Sequence, residues 1–389
     1  MIRNVGKRHS VAILLSGRAQ FSPYFGGALV RWTYEVYSRL SNQVEAAVFG
    51  YPTRAKDLYP LRHETSAAWR ACDVLAKIPG LRRYDERLWL LALFRRLQRF
   101  DIVHIHNRPQ WVPALRSMGY RGGIVLHLQN DHLGHWSGPA LDALTPQLDA
   151  LAVCSHYMRR TFAPRSALMD AKTHVIWNGA NLDLFQPPTQ AREPKTIFFV
   201  GQFGPEKGVL QLVQAYDRVL DSHPNAKLVI GGATGFGVHT ETPYVRQVRE
   251  LAASLKTRRD ARIEFTGYLH HDKDLPSWFQ RATIFSSPSL FQEPFGLVNA
   301  EAMACATPVV GSNRGGIPDV LGGTGRLVNP ENIEEYAAVL SDLLGKPELC
   351  ARLGRAGYER CRELFDWDVI AKSWIPVLEG AGGREALAA

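Results

Sequence analysis

Residues 196–230 read TIFFVGQFGPEKGVLQLVQAYDRVLDSHPNAKLVI. The apolar run Thr196–Val200 stops at a glycine-containing loop, a helical apolar repeat follows from Gly208 to Ser222, and a second apolar run, Lys227–Ile230, closes the unit. Strand, tight loop, helix and strand in that order make a βαβ unit. Its strands lie parallel and are covered on both faces.

The same alternation extends in both directions. Upstream, strands are expected at Val11–Leu15, Val44–Phe49, Asp101–His106, Ile124–Leu128, Ala150–Val153 and His174–Ile176. Downstream they are expected at Arg262–Phe265, Thr283–Phe285, Pro308–Val310 and Arg326–Val328. Helical patterns fill the gaps at Ala28–Leu40, Arg87–Gln98, Ser155–Phe162, Tyr244–Lys256, Gly296–Ala304, Glu331–Leu344 and Glu348–Leu364. Two such sets imply an α/β protein of two Rossmann-like, doubly wound domains, each placing ligands at the carboxyl ends of its strands. The proline-rich stretch Gln186–Gln190 can continue neither a helix nor a central strand, so it marks the boundary. Residues 1–185 and 186–365 are read as the two domains, and 366–389 as a terminal helix packing back on the first, with a frayed tail from Gly380.

The chain has 389 residues, 46% hydrophobic and 21% charged, an ordinary globular composition. Its longest strongly apolar run, Leu88–Phe94, is far short of the roughly 20 residues that cross a bilayer. Val11–Leu15, behind a basic start, is too short for a signal-peptide core. The five cysteines are scattered and lack CxxC spacing, so they read as buried or incidental thiols of a reducing, cytoplasmic compartment. Charge is uneven. Residues 1–185 hold 24 Lys and Arg against 13 Asp and Glu, whereas 186–389 hold 22 against 24. A basic first half suits an anionic partner, a phospholipid surface or a phosphorylated glycan lipid, and equally a surface charged for solubility. The helix around Arg82–Arg99 carries the same two readings, docking on a membrane surface or packing its apolar side on the sheet. No nucleic-acid-binding motif accompanies the charge.

Chemistry concentrates at Glu293-Pro-Phe-Gly-Leu-Val-Asn-Ala-Glu301. A helix starting near Gly296 leaves backbone N–H groups unpaired at its positive end, a site for a diphosphate or a sugar oxygen. Glu293 precedes that helix and Glu301 lies on it. Carboxylates accept hydrogen bonds from paired hydroxyls, so one can hold a hexose and the other a ribose. A glycosidase would need its carboxyls about 5 to 9.5 Å apart. Eight helical residues span about 12 Å, which disfavours that pairing. Lys207 at the first loop can neutralise a donor phosphate, and Gly26-Gly27 after the first strand lets backbone approach a ligand.

These pieces resemble family 4 glycosyltransferases of the GT-B fold over most of the chain. The resemblance rests on Gly26-Gly27, "DIVHIH" ending at His106, "VIWNGANLDLFQP" from Val175, "VGQFGPEKG", the Glu-x7-Glu element and "TPVVGSNRGGIPDVL" from Thr307. "HNRPQWVPALR" from His106, "LHLQNDHLG" from Leu126 and "GFGVHTETPYV" from Gly235 are similar to a branch of spore-coat and lipopolysaccharide-type transferases. The resemblance implies metal-independent transfer of a hexose, with retention of configuration, from a nucleotide sugar (UDP-linked) to a cell-surface glycan or lipid-linked precursor. The nucleotide sugar is a substrate and no cofactor is implied. A same-fold epimerase or phosphorylase, or a weakly active glycan- or nucleotide-binding homologue, stays open.

By matching position, Gly27 and Lys207 would contact the diphosphate, with Gly26 and Gln202 also counted among the donor-binding residues. Glu293 with the backbone of Phe295, Gly296, Leu297 and Val298 would hold the donor sugar, and Glu301 the ribose. His127 matches the cleft histidine beside that sugar, and Asn107, Arg108 and Asp131 are acceptor-side candidates. One departure stands out. The family usually has arginine where this chain has Gln202, a neutral group that cannot replace a forked cation, with Arg18 or Arg314 as candidates to compensate. Asp366-Trp-Asp368 looks like a metal-binding DxD but opens the last helix, where both acids suit its positive end. His104-Ile-His106 points two rings to one face without a third ligand nearby in sequence, and His127, His132 and His135 fit zinc spacing poorly, so no metal is expected.

Overall fold

The structure, a computed structural model, describes residues 8–15, 19–23, 27–54, 58–66, 68, 72, 74, 82–233 and 241–383. The chain divides into two compact units, Met1–Trp177 with Asp368–Ala389, and Asn178–Trp367.

The first unit is built on seven parallel strands: β1 (His9–Leu14), β2 (Val44–Phe49), β3 (Arg62–Glu64), β4 (Ile102–His106), β5 (Gly123–Leu128), β6 (Ala150–Val153) and β7 (Thr173–Val175), in spatial order β3-β2-β1-β4-β5-β6-β7. The second has β8 (Thr196–Val200), β9 (Lys227–Gly231), β10 (Arg262–Gly267), β11 (Ile284–Ser287), β12 (Val309–Ser312) and β13 (Arg326–Val328), in order β10-β9-β8-β11-β12-β13. Each sheet starts in its middle, grows one way and then the other. The order reverses between β1 and β4 in one unit and between β8 and β11 in the other, and doubly wound sheets bind ligands at such switch points.

Burial explains the strands. All six residues of β5 are buried, as a strand covered on both faces requires. In the second unit the helix Val209–Ser222 buries Val209, Leu212, Val213, Tyr216 and Val219 against Ile197, Leu228 and Ile230. Each such apolar side chain contributes about 1.5–3 kcal/mol on burial.

The second unit begins upstream of the proline-rich stretch because Phe185 is already buried in it, its ring 6.0 Å from that of Phe279. Beyond the prolines, the Arg192 guanidinium donates to the carbonyls of Phe279, Gln280, Ala282, Cys305 and Ala306 at 2.8–3.0 Å. The boundary segment is thus bolted to the second sheet's helices. Trp374, on the final helix Trp367–Gly382, packs within the first unit, 5.0 Å between ring centroids from Trp32. The fray expected from Gly380 is absent at Gly380–Gly382, which continue that helix, and residues 384–389 lie outside the described ones. Asp368 accepts from Arg39 Nε at 2.6 Å.

The polar edge strand β3 was not anticipated, nor were the helices Gly138–Leu144, Leu275–Arg281 and Ile317–Leu321. Each of these helices carries proline in its first turn, where the missing N–H costs nothing. All five cysteines are buried thiols. No described helix is long and apolar enough to cross a membrane.

Candidate functional site

β8 and β11 pair in parallel, Ile284 with Ile197 and Phe285 with Phe198, so the loops that follow them leave the same end of the sheet side by side. The first is Gly201–Gly208 and the second Pro288–Gly296. Backbone laces them together, Leu290 N–H donating to Glu206 O at 2.8 Å. Gly208 allows the approach. It sits at φ +70°, and a Cβ there would lie 1.9 Å from Pro288 O.

This packing brings Lys207 and Glu293 together. Lys207 Nζ donates to Glu293 Oε2 at 2.7 Å, and Nζ also lies 5.6 Å from the centre of the Phe291 ring. Both side chains are part-exposed, 26% for Lys207 and 20% for Glu293, so a ligand can reach them. Glu293 is fixed from behind by the Gly315-Gly316 turn. Gly316 N–H donates to Glu293 O at 2.6 Å, and a Cβ on Gly315, at φ +60°, would come within 2.2 Å of that oxygen.

The helix expected near Gly296 runs Leu297–Ala304 with Gly296 as its N-cap and no side-chain cap, so its first N–H groups face outward from the same loop. Leu297 and Val298 open that helix, and Phe295 is buried with its ring 5.5 Å from that of Phe365. Glu301 is buried on it, 5% exposed. Its Oε1 pairs with His271 Nε2 at 2.6 Å, and its Oε2 has no hydrogen-bond partner among the described residues. His271 Nδ1 in turn lies 2.6 Å from Asp272 Oδ1, with the Phe185 ring 5.1 Å away. His271 was missed by sequence reasoning. Its only signal is a His-His-Asp run after β10, and nothing local links it to residue 301.

Gln202 lines a cavity of about 210 Å³ with Val200, Gly201, Gly232, Ala233, Tyr268 and Leu269, beyond the ends of β8, β9 and β10. Arg314 is committed elsewhere, donating to Leu290 O at 2.6 Å and pairing with Glu331. Arg18 and Gly26 fall outside the described residues. Gly27 caps the helix Ala28–Arg39 at φ −78°, a conformation open to any residue.

In the first unit the acceptor-side candidates sit just past β4 and β5, and their polar groups are engaged. Asn107 Oδ1 accepts from Gln129 N–H at 2.8 Å, Arg108 Nε donates to Glu86 at 2.8 Å, and Asp131 Oδ1 accepts from Gly134 N–H at 2.6 Å. Glu86 also accepts from Trp111 Nε1 at 2.9 Å, beside a cavity of about 680 Å³ that includes Gln110 and Arg87.

The structure corrects the expected placement of His127. Instead of opening on a cleft it is fully buried, its ring 4.4 Å from that of Trp32 and 4.9 Å from that of Trp374. It lies directly across from His106 in the β4–β5 register, and His104 completes a group whose ligand atoms are all within 4.8 Å of one another. Burial pushes the His106 imidazole down to about 3, and burial first, then neighbouring histidines, holds His104 and His127 well below the usual range. All three are neutral.

Two family profiles tile the chain: Glycosyltransferase Family 4 over residues 25–184 and Glycosyl transferases group 1 over 182–360. A glycogen synthase of Mycobacterium tuberculosis is 31% identical over 295 residues, 71% of this chain and 68% of that protein. The chain belongs to the group 1/family 4 glycosyltransferases. Among this family it is also similar to spore coat protein SA of Bacillus subtilis, 29% identical over 301 residues, 72% of this chain and 78% of the relative. The GT-B architecture expected of a family 4 glycosyltransferase is present, with its two parallel sheets of seven and six strands. It is shared with Anabaena HepE, solved with UDP and glucose, at a TM-score of 0.71 and 18% identity, covering 95% of this chain and 99% of that one.

Proposed function

We propose that this glycosyltransferase moves a hexose from a UDP-linked donor to a cell-surface glycan or its lipid-linked precursor, with retention and without a metal ion. The Lys207–Glu293 contact at the β8/β11 switch point carries the reading. A donor diphosphate arriving there replaces Glu293 as the partner of the Lys207 ammonium, and the freed carboxylate accepts hydroxyls of the sugar. Glu301 takes the ribose through its unpartnered Oε2. The 210 Å³ cavity, with Gln202 at its edge, receives the base.

In the transfer the bond from the anomeric carbon to the diphosphate oxygen breaks and a bond to the acceptor oxygen forms on the same face. The acceptor proton passes to the departing diphosphate. Lys207 and the N–H groups at Leu297 and Val298 stabilise the charge that develops on the leaving group, and such donors are worth about 100- to 1000-fold in rate. HepE was solved with UDP and glucose, which supports the donor class, and a relative named for the spore coat fits a product destined for the cell surface.

An inner-membrane-face location is supported by the helix Arg82–Leu97, which packs Trp89, Leu90 and Leu93 inward and leaves Leu88 and Leu91 41% and 55% exposed. The decisive experiment screens UDP-, GDP-, ADP- and dTDP-sugars by thermal shift and then by product analysis. A new α-configured glycosidic bond made from a UDP-sugar supports the proposal. Epimerised donor or sugar 1-phosphate as the product would reject it, as would turnover unchanged in Glu293→Ala.

A further inference from the structure

We propose that His104, His106 and His127 form an internal binding site for an imidazole-seeking transition-metal ion, separate from the donor site. His104 and His106 alternate onto one face of β4, and the register sets His127 of β5 directly beside His106. Two neighbouring parallel strands thus present three imidazoles to one point. Each is 0% exposed, and their ligand atoms lie within 4.8 Å of one another. Both ring nitrogens of His106 and of His127, and Nε2 of His104, have no hydrogen-bond partner among the described residues.

Five such nitrogens in one packed interior call for a partner, because buried polar groups are paired. His104 shows what kind. Its Nδ1 is 2.5 Å from the Tyr37 hydroxyl, which fixes the ring and leaves Nε2 without a partner among the described residues. A metal-ligating histidine is held in this way, by a hydrogen bond on its far nitrogen.

The donor set narrows the ion. Hard cations such as magnesium and calcium want oxygen, while imidazole suits zinc and copper. Bonds of about 2.0–2.1 Å require nitrogens about 3.4 Å apart in a tetrahedral site, so the rings close by little more than an ångström. Among the described residues no carboxylate belongs to the group, so there a second positive charge would go uncompensated, and copper(I) is favoured over zinc. The walls suit a cation. Trp32 lies 5.7, 5.2 and 4.4 Å from the three rings in order, and Trp374 lies 4.8 and 4.9 Å from His104 and His127.

The full chain, stripped with chelator, is offered copper(I) anaerobically with ascorbate, or zinc. Metal per chain is then measured after gel filtration, together with the thermal midpoint and the X-ray absorption spectrum. About one copper per chain, a raised midpoint and a nitrogen-only imidazole shell support the proposal. His106→Asn and His127→Gln should each weaken binding at least about tenfold. Zinc taken up in preference would keep the site and overturn the choice of ion. Metal below about a tenth of an ion per chain in a folded protein, or bound equally by the variants, would overturn the site and leave buried water as the partner of these nitrogens. Should the variants fail to fold, the absorption spectrum of the unaltered protein decides alone.

Discussion

The ammonium of Lys207 and the carboxylate of Glu293 meet at 2.7 Å although 86 residues separate them, because the strands that precede them are neighbours in the sheet. A part-exposed ion pair of this kind contributes only about 0–1 kcal/mol to stability. In the proposed donor site the pair would hold the two groups in register until the diphosphate displaced one from the other. Lys207→Ala should therefore leave the thermal midpoint nearly unchanged and lower kcat about 100- to 1000-fold. Turnover within a factor of about three of the parent would sink the assignment.

Gly315 sets the position of Glu293. A methyl group there would press within 2.2 Å of Glu293 O, at a φ of +60°. Gly315→Ala should cost about 1–3 kcal/mol of stability through backbone strain, and displacing Glu293 by an ångström should cost about 100-fold in kcat/KM. Gly323→Ala is the control. Gly323 is also left-handed, at φ +85°, but a Cβ there meets nothing within 4 Å. That variant should lose some stability and keep its activity, and equal activity losses in both would refute positioning through Gly315.

Much of this was legible from short-range patterns. Parallel strands covered on both faces are apolar throughout, so runs such as Ala150–Val153 and Thr196–Val200 fall where the sequence places them. The Glu-x7-Glu element reports its helix directly. Contacts that depend on register were not legible. His271 reaches Glu301 across 30 residues, and His127 joins His104 and His106 only because β4 and β5 are neighbours. β3 reads Arg-His-Glu, with no apolar signal to betray an edge strand.

His271 should act on donor affinity and not on the chemical step. It holds Oε1 of Glu301 at 2.6 Å and leaves Oε2, the atom proposed to take the ribose, without a partner among the described residues. Removing a hydrogen bond to a charged group costs about 1.5–3 kcal/mol, or roughly 10- to 150-fold. His271→Ala should raise the donor Kd by that factor with kcat little changed, and His271→Gln, which keeps one donor, should recover part of it. A fall in kcat at saturating donor would show a different role.

Gln202, at the position where the resemblance implies an arginine, lines the wall of the 210 Å³ cavity. Arg314 is tied to Leu290 O and Glu331 and is not available to replace that cation in this arrangement. Gln202→Arg should preserve or raise turnover with the natural donor, since it adds a forked charge near the diphosphate. A large loss, measured against the same donor panel, would show that glutamine has its own contact with the substrate.

The exposed stripe of the helix Arg82–Leu97 gives the membrane reading a direct test. Leu88 and Leu91 project outward between Arg87 and Arg95, an apolar pair flanked by positive charge. The leucines would enter the acyl boundary while the arginines met lipid phosphates. Flotation with vesicles rich in phosphatidylserine should carry the protein at low salt, and raising ionic strength should release it as the Debye length falls below about 8 Å. The double variant Leu88→Ser, Leu91→Ser should bind less at every salt concentration, with soluble-acceptor turnover unchanged because neither residue belongs to the donor site. Charge alone would give salt-sensitive binding indifferent to the two leucines, and no flotation at low salt would remove the membrane from the account.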